Sequence, residues 1–152
     1  MQLKLQNKDL PTLKMFLKKL RIQNMRANRG KVKFYKHILL KLEEYYRDEQ
    51  EILKEVAVVD DSGSFATDEN GNIQLKDGET YENVNRQLSD LSQEEVVLNA
   101  GEYEARYRAF LNWLAECKEE LTMDEAILVD DLLEQFESQS EKEEDDGVST
   151  SQ

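Results

Sequence analysis

Apolar residues recur along most of this chain at the three- and four-residue spacing of an amphipathic helix, and the departures from that spacing mark the breaks. Leu10, Leu13, Leu17 and Leu20, with Phe16 beside them, predict a first helix of about four turns ending near Asn24. Asn7 or Asp9 suits its cap, and Pro11 its first turn, where the missing N–H costs nothing. Residues 25–30, MRANRG, read as a connector with Gly30 at a sharp bend. Val32, Tyr35, Ile38, Leu39, Leu42, Tyr45, Tyr46, Ile52, Leu53 and Val56 then form one stripe, with no Gly or Pro from 31 to 59, and predict the longest helix. Tyr81, Val84, Leu88 and Leu91 predict a short third helix. Tyr103, Tyr107, Phe110, Trp113, Leu114, Cys117 and Leu121 outline a fourth. A last helix runs through Ala126, Val129, Leu132, Leu133 and Phe136, opened by a capping box in which Thr122 is the cap and Glu125 reaches back.

Elsewhere the period changes. QLKLQN (2–7) alternates, with Leu3 and Leu5 on one face, and EEVVLN (94–99) is a second strand candidate. Pairing the two would satisfy their edges and clamp the N-terminus onto the middle of the chain. Residues 60–78 hold no helical period. With Gly71 at the sixth position, ATDENGNIQLKD (66–77) overlays half of a calcium-binding EF-hand loop, but Ala66 stands at the first ligand position and Asp77 replaces the bidentate Glu at the twelfth. Asn70–Gly71 is instead the preferred pair for a tight hairpin turn, since both residues tolerate positive φ. From Ser138 to Gln152 there is one apolar residue, too little to offset ordering entropy, so this segment is expected to be a disordered acidic tail. The expected fold is mainly α: a four- to five-helix single domain over residues 1–137, with a minimal two-stranded β element and a protruding 60–78 hairpin or loop.

Charge divides this pattern in two. Residues 1–41 hold twelve Lys/Arg and one acid (+11), and the remainder eight Lys/Arg and thirty-two acids (−24), giving the net −13. The basic stretch comprises Lys14, Lys18, Lys19, Arg21, Arg26, Arg29, Lys31, Lys33 and Lys36. Such asymmetry fits either an external nucleic-acid partner or basic helices lying beside acidic ones in one fold. The second is the expectation, because the acidic surplus repels phosphate at long range. One cysteine forbids an internal disulfide, and no apolar run approaches the roughly 20 residues of a membrane helix. A soluble protein of a reducing cytoplasm, without a membrane partner, is expected.

Little in the chain suggests catalysis. His37 has no histidine or carboxylate partner at ligand or relay spacing and reads as a surface or boundary residue. Cys117, in ECKEE, reads as a small buried hydrophobe of the fourth helix. No Gly-rich phosphate loop, G-x-S-x-G or CxxC is present, so no catalytic residue, metal ligand or cofactor is assigned. Acidic clusters leave one enzymatic alternative. Glu43, Glu44, Asp48, Glu51 and Glu55 on one helix and Glu125, Asp130, Asp131 and Glu134 on another would have to converge to hold magnesium for an all-α nucleotide hydrolase.

The order of segments itself is distinctive. LKLQNKDLPTLKMFLKKL, RGKVKFYKHILLKLEEYYRDEQEILKE, the acidic DENGNI loop, EEVVLNAGEYEARYRAFLNWL and LTMDEAILVDDLLEQFE follow one another over about residues 2–137. This order resembles an uncharacterised family of small proteins from phages and prophages of Gram-positive bacteria, encoded near tail and lysis genes. The resemblance implies expression inside the host and no established activity, and it supplies no catalytic residues. The expected function is a non-enzymatic phage interaction protein in the host cytoplasm, assisting development or modulating a host protein. It would dock an acidic surface, with Glu43, Glu44, Asp48, Glu51, Asp130, Asp131 and Glu134 as candidates, on a basic phage or host protein. The binding alternative is RNA recognition by the basic N-terminal helices. Oligomeric state stays open, with the exposed part of the tyrosine-rich stripe a candidate homodimer face.

Overall fold

The computed structural model describes the backbone of residues 1–149 and the side chains of residues 1–145. Its elements are β1 (Gln2–Gln6), α1 (Leu10–Lys19), α2 (Met25–Val56), α3 (Tyr81–Gln93), β2 (Glu95–Asn99), α4 (Glu104–Ala115) and α5 (Met123–Ser149). The fold is mainly α, five helices with a two-stranded antiparallel sheet, in agreement with the hydrophobic pattern. No helix among the described residues is long and apolar enough to cross a membrane.

The sheet pairs the two expected strands, with Leu3 opposite Leu98 and Leu5 opposite Val96. Because successive side chains alternate across a strand, these four point inward together. Helix α2 packs most extensively on α4, where Phe34 and Ile38 meet Tyr107 and Phe110. Phe34 and Tyr107 meet edge to face at 5.2 Å. Leu10, Leu13, Phe16 and Leu17 of α1, and Leu128, Val129, Leu132 and Phe136 of α5, complete the same core.

Several boundaries differ from the expectation. Helix α1 stops at Lys19, and Leu20 is extended (φ −67°, ψ 127°). The connector therefore lies before residue 25, and Asn24 caps α2, its side-chain oxygen accepting the Ala27 N–H at 3.0 Å. Gly30 is not at a bend. It lies within α2 where the α4 backbone crosses, and a Cβ there would sit 2.0 Å from the Arg106 carbonyl oxygen. Helix α4 ends at Ala115, so Cys117 follows the helix instead of lying in its seam, and it is half-buried against the core. The Thr122 cap accepts the Glu125 N–H at 3.2 Å, but the Glu125 carboxylate turns to Lys19 instead of reaching back.

The acidic C-terminal segment was expected to be disordered from Ser138. Helix α5 runs to Ser149, while residues 150–152 lie outside the described residues. Hydrogen bonds tie its middle part to the sheet and to α4. The free edge of β1 presents the N–H and C=O of Gln2 and Lys4, and two glutamines one helical turn apart on α5 meet them. Gln135 accepts the Lys4 N–H and donates to the Lys4 carbonyl, both at 2.7 Å. Gln139 does the same for Gln2, at 3.0 and 2.6 Å. A strand advances about 6.8 Å in two residues and a helix about 6 Å in four, so the two side chains match the edge in register. Arg108 on α4 adds hydrogen bonds to Ser140 and Glu143. Apolar burial alone does not reveal these polar ties.

Between α2 and α3 the chain makes two turns of one design, eight residues apart. In the first, the Asp60 carboxylate accepts the N–H groups of Ser62 and Ser64 at 2.9 and 3.1 Å. In the second, Asp68 accepts those of Asn70 and Asn72 at 2.9 and 3.0 Å. Gly63 and Gly71 close the turns at φ 84° and 81°, whereas among the described residues no non-glycine has positive φ. The second turn is thus a type I turn followed by a glycine bulge, not the primed turn that Asn70–Gly71 predicted. Val58, Ala66 and Gln74 join in a ring of backbone bonds of 2.8–2.9 Å. The expected hairpin is therefore a small three-pass coil.

Candidate functional site

Segregated charge is the main feature of the surface. Of the nine cations in the basic stretch, only Lys19 forms an ion pair among the described residues, with Glu125 at 2.5 Å. Lys18, Arg21, Arg26, Arg29 and Lys36 are exposed. Lys14 and Lys33 are half-buried, the latter with its ammonium 4.7 Å from the centroid of the Tyr103 ring. Lys31 serves the fold: its ammonium donates to the Leu20 carbonyl at 2.7 Å, helping to finish the chain's exit from α1. Burial holds its pKa below the ordinary lysine value. The expected neutralisation of basic helices by acidic ones is therefore confined, as direct pairs, to one bridge. The rest of the cations form a basic corner at the α1–α2 junction.

The acidic side is organised by three grooves. One, of about 420 Å³, runs between α1 and α5 and is lined by Lys8, Asp9, Thr12, Asp124, Ile127, Leu128 and Asp131. A second, of about 610 Å³, shares Asp9 and Asp131 with it and reaches β1 and Glu95. A third, of about 170 Å³, begins at Glu95 and passes Glu94 to Glu44 and Asp48 on α2. Seven carboxylates thus line one continuous belt against Lys4, Lys8 and Lys41. Lys4 and Lys41 are already paired, to Glu95 at 4.0 Å and Glu44 at 3.7 Å.

All seven of the acidic candidates named from the sequence are exposed, but the structure does not gather them into one cluster. Glu44, Asp48 and Asp131 line the belt, whereas Glu43, Glu51, Asp130 and Glu134 lie outside the grooves. Asp9, Glu94, Glu95 and Asp124 join it instead. Sequence reading took Asp9 as a helix cap and Glu94–Glu95 as the start of a strand. The signal that could have found them is the β1–β2 pairing, which carries Glu95 to the strand end opposite Gln6.

Among the described residues, no group of three or more His, Cys, Asp or Glu side chains is arranged to hold a metal ion. The four-carboxylate convergence needed by the hydrolase alternative is not formed by them. His37 is a boundary residue with a structural partner, its Nδ1 against the hydroxyl of the buried Tyr107. Burial, and secondarily Lys41, hold the imidazole below its ordinary pKa, while burial raises the Tyr107 hydroxyl well above its own. The phenol therefore stays protonated beside a neutral ring. Asn7, the one polar residue buried among the described residues, holds α3 to the end of β1, with its Nδ2 on the Leu91 carbonyl at 2.9 Å and its N–H on the Glu94 carbonyl at 3.1 Å.

Together these features define a small, mainly α protein with a two-stranded sheet, a grooved acidic belt and a separate basic corner. The chain belongs to the family described as "Protein of unknown function (DUF1617)", whose model matches residues 1–144. No curated protein and no solved structure matches it. The resemblance drawn from segment order is in this respect correct, since the family is uncharacterised and the match covers the same body of the chain.

Proposed function

We propose that this is a non-enzymatic docking protein of phage development, working in the host cytoplasm, whose acidic belt receives a basic surface of a phage or host protein. The observation that carries the reading is the continuity of the grooves: Asp9 and Asp131 are shared by the first two, and Glu95 by the second and third. A surface of this sign steers encounter with a cationic partner and sets its orientation more than it adds affinity. The phage setting rests on the segment-order resemblance.

The test pairs an Asp124→Asn/Asp131→Asn variant with wild type. An amphipathic lysine–leucine peptide should bind wild type and bind the variant on the order of tenfold more weakly, and a partner retained from host extract should be lost in parallel. Equal binding by both proteins would overturn the proposal.

A second reading has its own support in Lys18, Arg21 and Arg26, which have no ion-pair partner among the described residues. In that reading the basic corner contacts RNA phosphates. Binding of a single-stranded RNA should then fall steeply with salt and disappear in a Lys18→Ala/Arg21→Ala/Arg26→Ala variant. RNA binding that the variant keeps would remove this reading.

A further inference from the structure

On the outer side of α2, Met25, Arg29, Val32, Lys36 and Leu40 follow one another at three- and four-residue spacing and so share one face. All five are exposed, Met25 at 68% and Leu40 at 57%. Single exposed apolar residues are ordinary, but three on one helix face interleaved with two cations form a basic amphipathic stripe. Neither Arg29 nor Lys36 has an ion-pair partner among the described residues. The groove between α1 and α5 has the reverse character. Ile127, 62% exposed, and Leu128 supply apolar surface between Asp9, Asp124 and Asp131.

We propose that this groove receives the α2 stripe of a second copy of the chain, in a head-to-tail contact. The inference rests on the reading of the acidic belt as a receptor for a basic surface, and it names that surface. Charge layout selects which surfaces meet. A contact of the groove with its own image would set carboxylates against carboxylates, and a contact of the stripe with its own image would set cations against cations. Seating the stripe in the groove brings opposite signs together, with Met25, Val32 and Leu40 covering Ile127, and head to tail each copy gives its stripe to one neighbour and its groove to another. Such a contact leaves a free stripe at one end and a free groove at the other, so it grows into a chain or closes into a ring.

Sedimentation velocity on the full-length protein tests this, over a roughly hundredfold concentration series. Wild type should gain mass with concentration. An Arg29→Glu/Lys36→Glu variant, which keeps its groove, should be monomeric, as should an Asp124→Lys/Ile127→Glu variant, which keeps its stripe. Mixed in equal amounts, these two should form a dimer and stop there, because one intact groove then meets one intact stripe. All the altered positions are exposed, and unchanged far-UV circular dichroism checks that each variant folds. Wild type that stays monomeric throughout, or a mixture that fails to pair, overturns the inference. If the groove variant nevertheless loses the lysine–leucine peptide, docking on a different basic partner survives. If the peptide is unaffected as well, both proposals fall.

Discussion

Replacing Gly30 with alanine sets two effects against each other. Alanine is favoured over glycine in a helix interior by about 1 kcal/mol, so helix propensity alone makes the substitution stabilising. The crossing with α4 opposes it. The new Cβ would lie 2.0 Å from the Arg106 carbonyl oxygen and 2.9 Å from the Phe110 Cβ, and the first of these is backbone that no rotamer change can move. A carbon–oxygen contact needs roughly 3.3 Å, so α2 and α4 must separate by about 1 Å. That separation opens the packing of Phe34 on Tyr107 and Phe110, all nearly fully buried. Strain of this kind costs about 1–3 kcal/mol and more where backbone is involved. After the propensity gain, a net loss of about 2 kcal/mol is expected, or a fall in Tm of roughly 5 °C for a chain of this size. Urea unfolding followed by Trp113 fluorescence and far-UV circular dichroism measures it. Refutation would be a Gly30→Ala protein as stable as wild type or more so, since the glycine would then not be holding the two helices at contact distance.

The edge clamp predicts that Gln135→Ala and Gln139→Ala each cost about 1 kcal/mol, the usual net worth of lost side-chain hydrogen bonds, with a larger loss when the chain is ended after Glu137; equal midpoints for wild type and truncated protein in urea would show that the extension of α5 adds nothing. The His37–Tyr107 pair predicts a pH dependence whose sign follows from both shifts. Because the folded imidazole titrates below its ordinary 6.5, the unfolded chain takes up the proton first, and stability complete above that value is lost as pH falls through it toward the folded value. A His37→Gln protein should therefore lose less stability than wild type between about pH 7 and pH 5, and parallel curves would contradict the assignment. At the other end, the raised Tyr107 pKa means stability is lost as pH climbs above 10, and Tyr107→Phe should flatten that limb.

The sequence by itself determined the elements and most of their inner faces, although Val32, Tyr46 and Tyr81 of the expected apolar stripes are exposed and the buried Phe34 lay outside them. Helical spacing and strand alternation report which residues must leave water, so Leu3, Leu5, Phe16, Ile38, Tyr107 and Leu132 could be assigned to the core before any coordinates, and they are buried. The division of charge along the chain was equally legible, because charge is a property of composition.

Only the tertiary structure decided what depends on two distant segments meeting. Gly30 looked like a bend because glycine's local signal is flexibility, whereas its role comes from the Arg106 backbone far along the chain. Gln135 and Gln139 looked like part of a polar run grading into a tail, and only the free edge of β1 makes them structural. The acidic belt was half legible for the same reason. Glu44, Asp48 and Asp131 were recognised as acidic helix positions, but Asp9, Glu94 and Glu95 joined them only when strand pairing carried them to the groove. Hydrophobic burial is periodic and can be read locally. Close backbone approach and polar pairing across the fold have no period, and the chain reveals them only once it is folded.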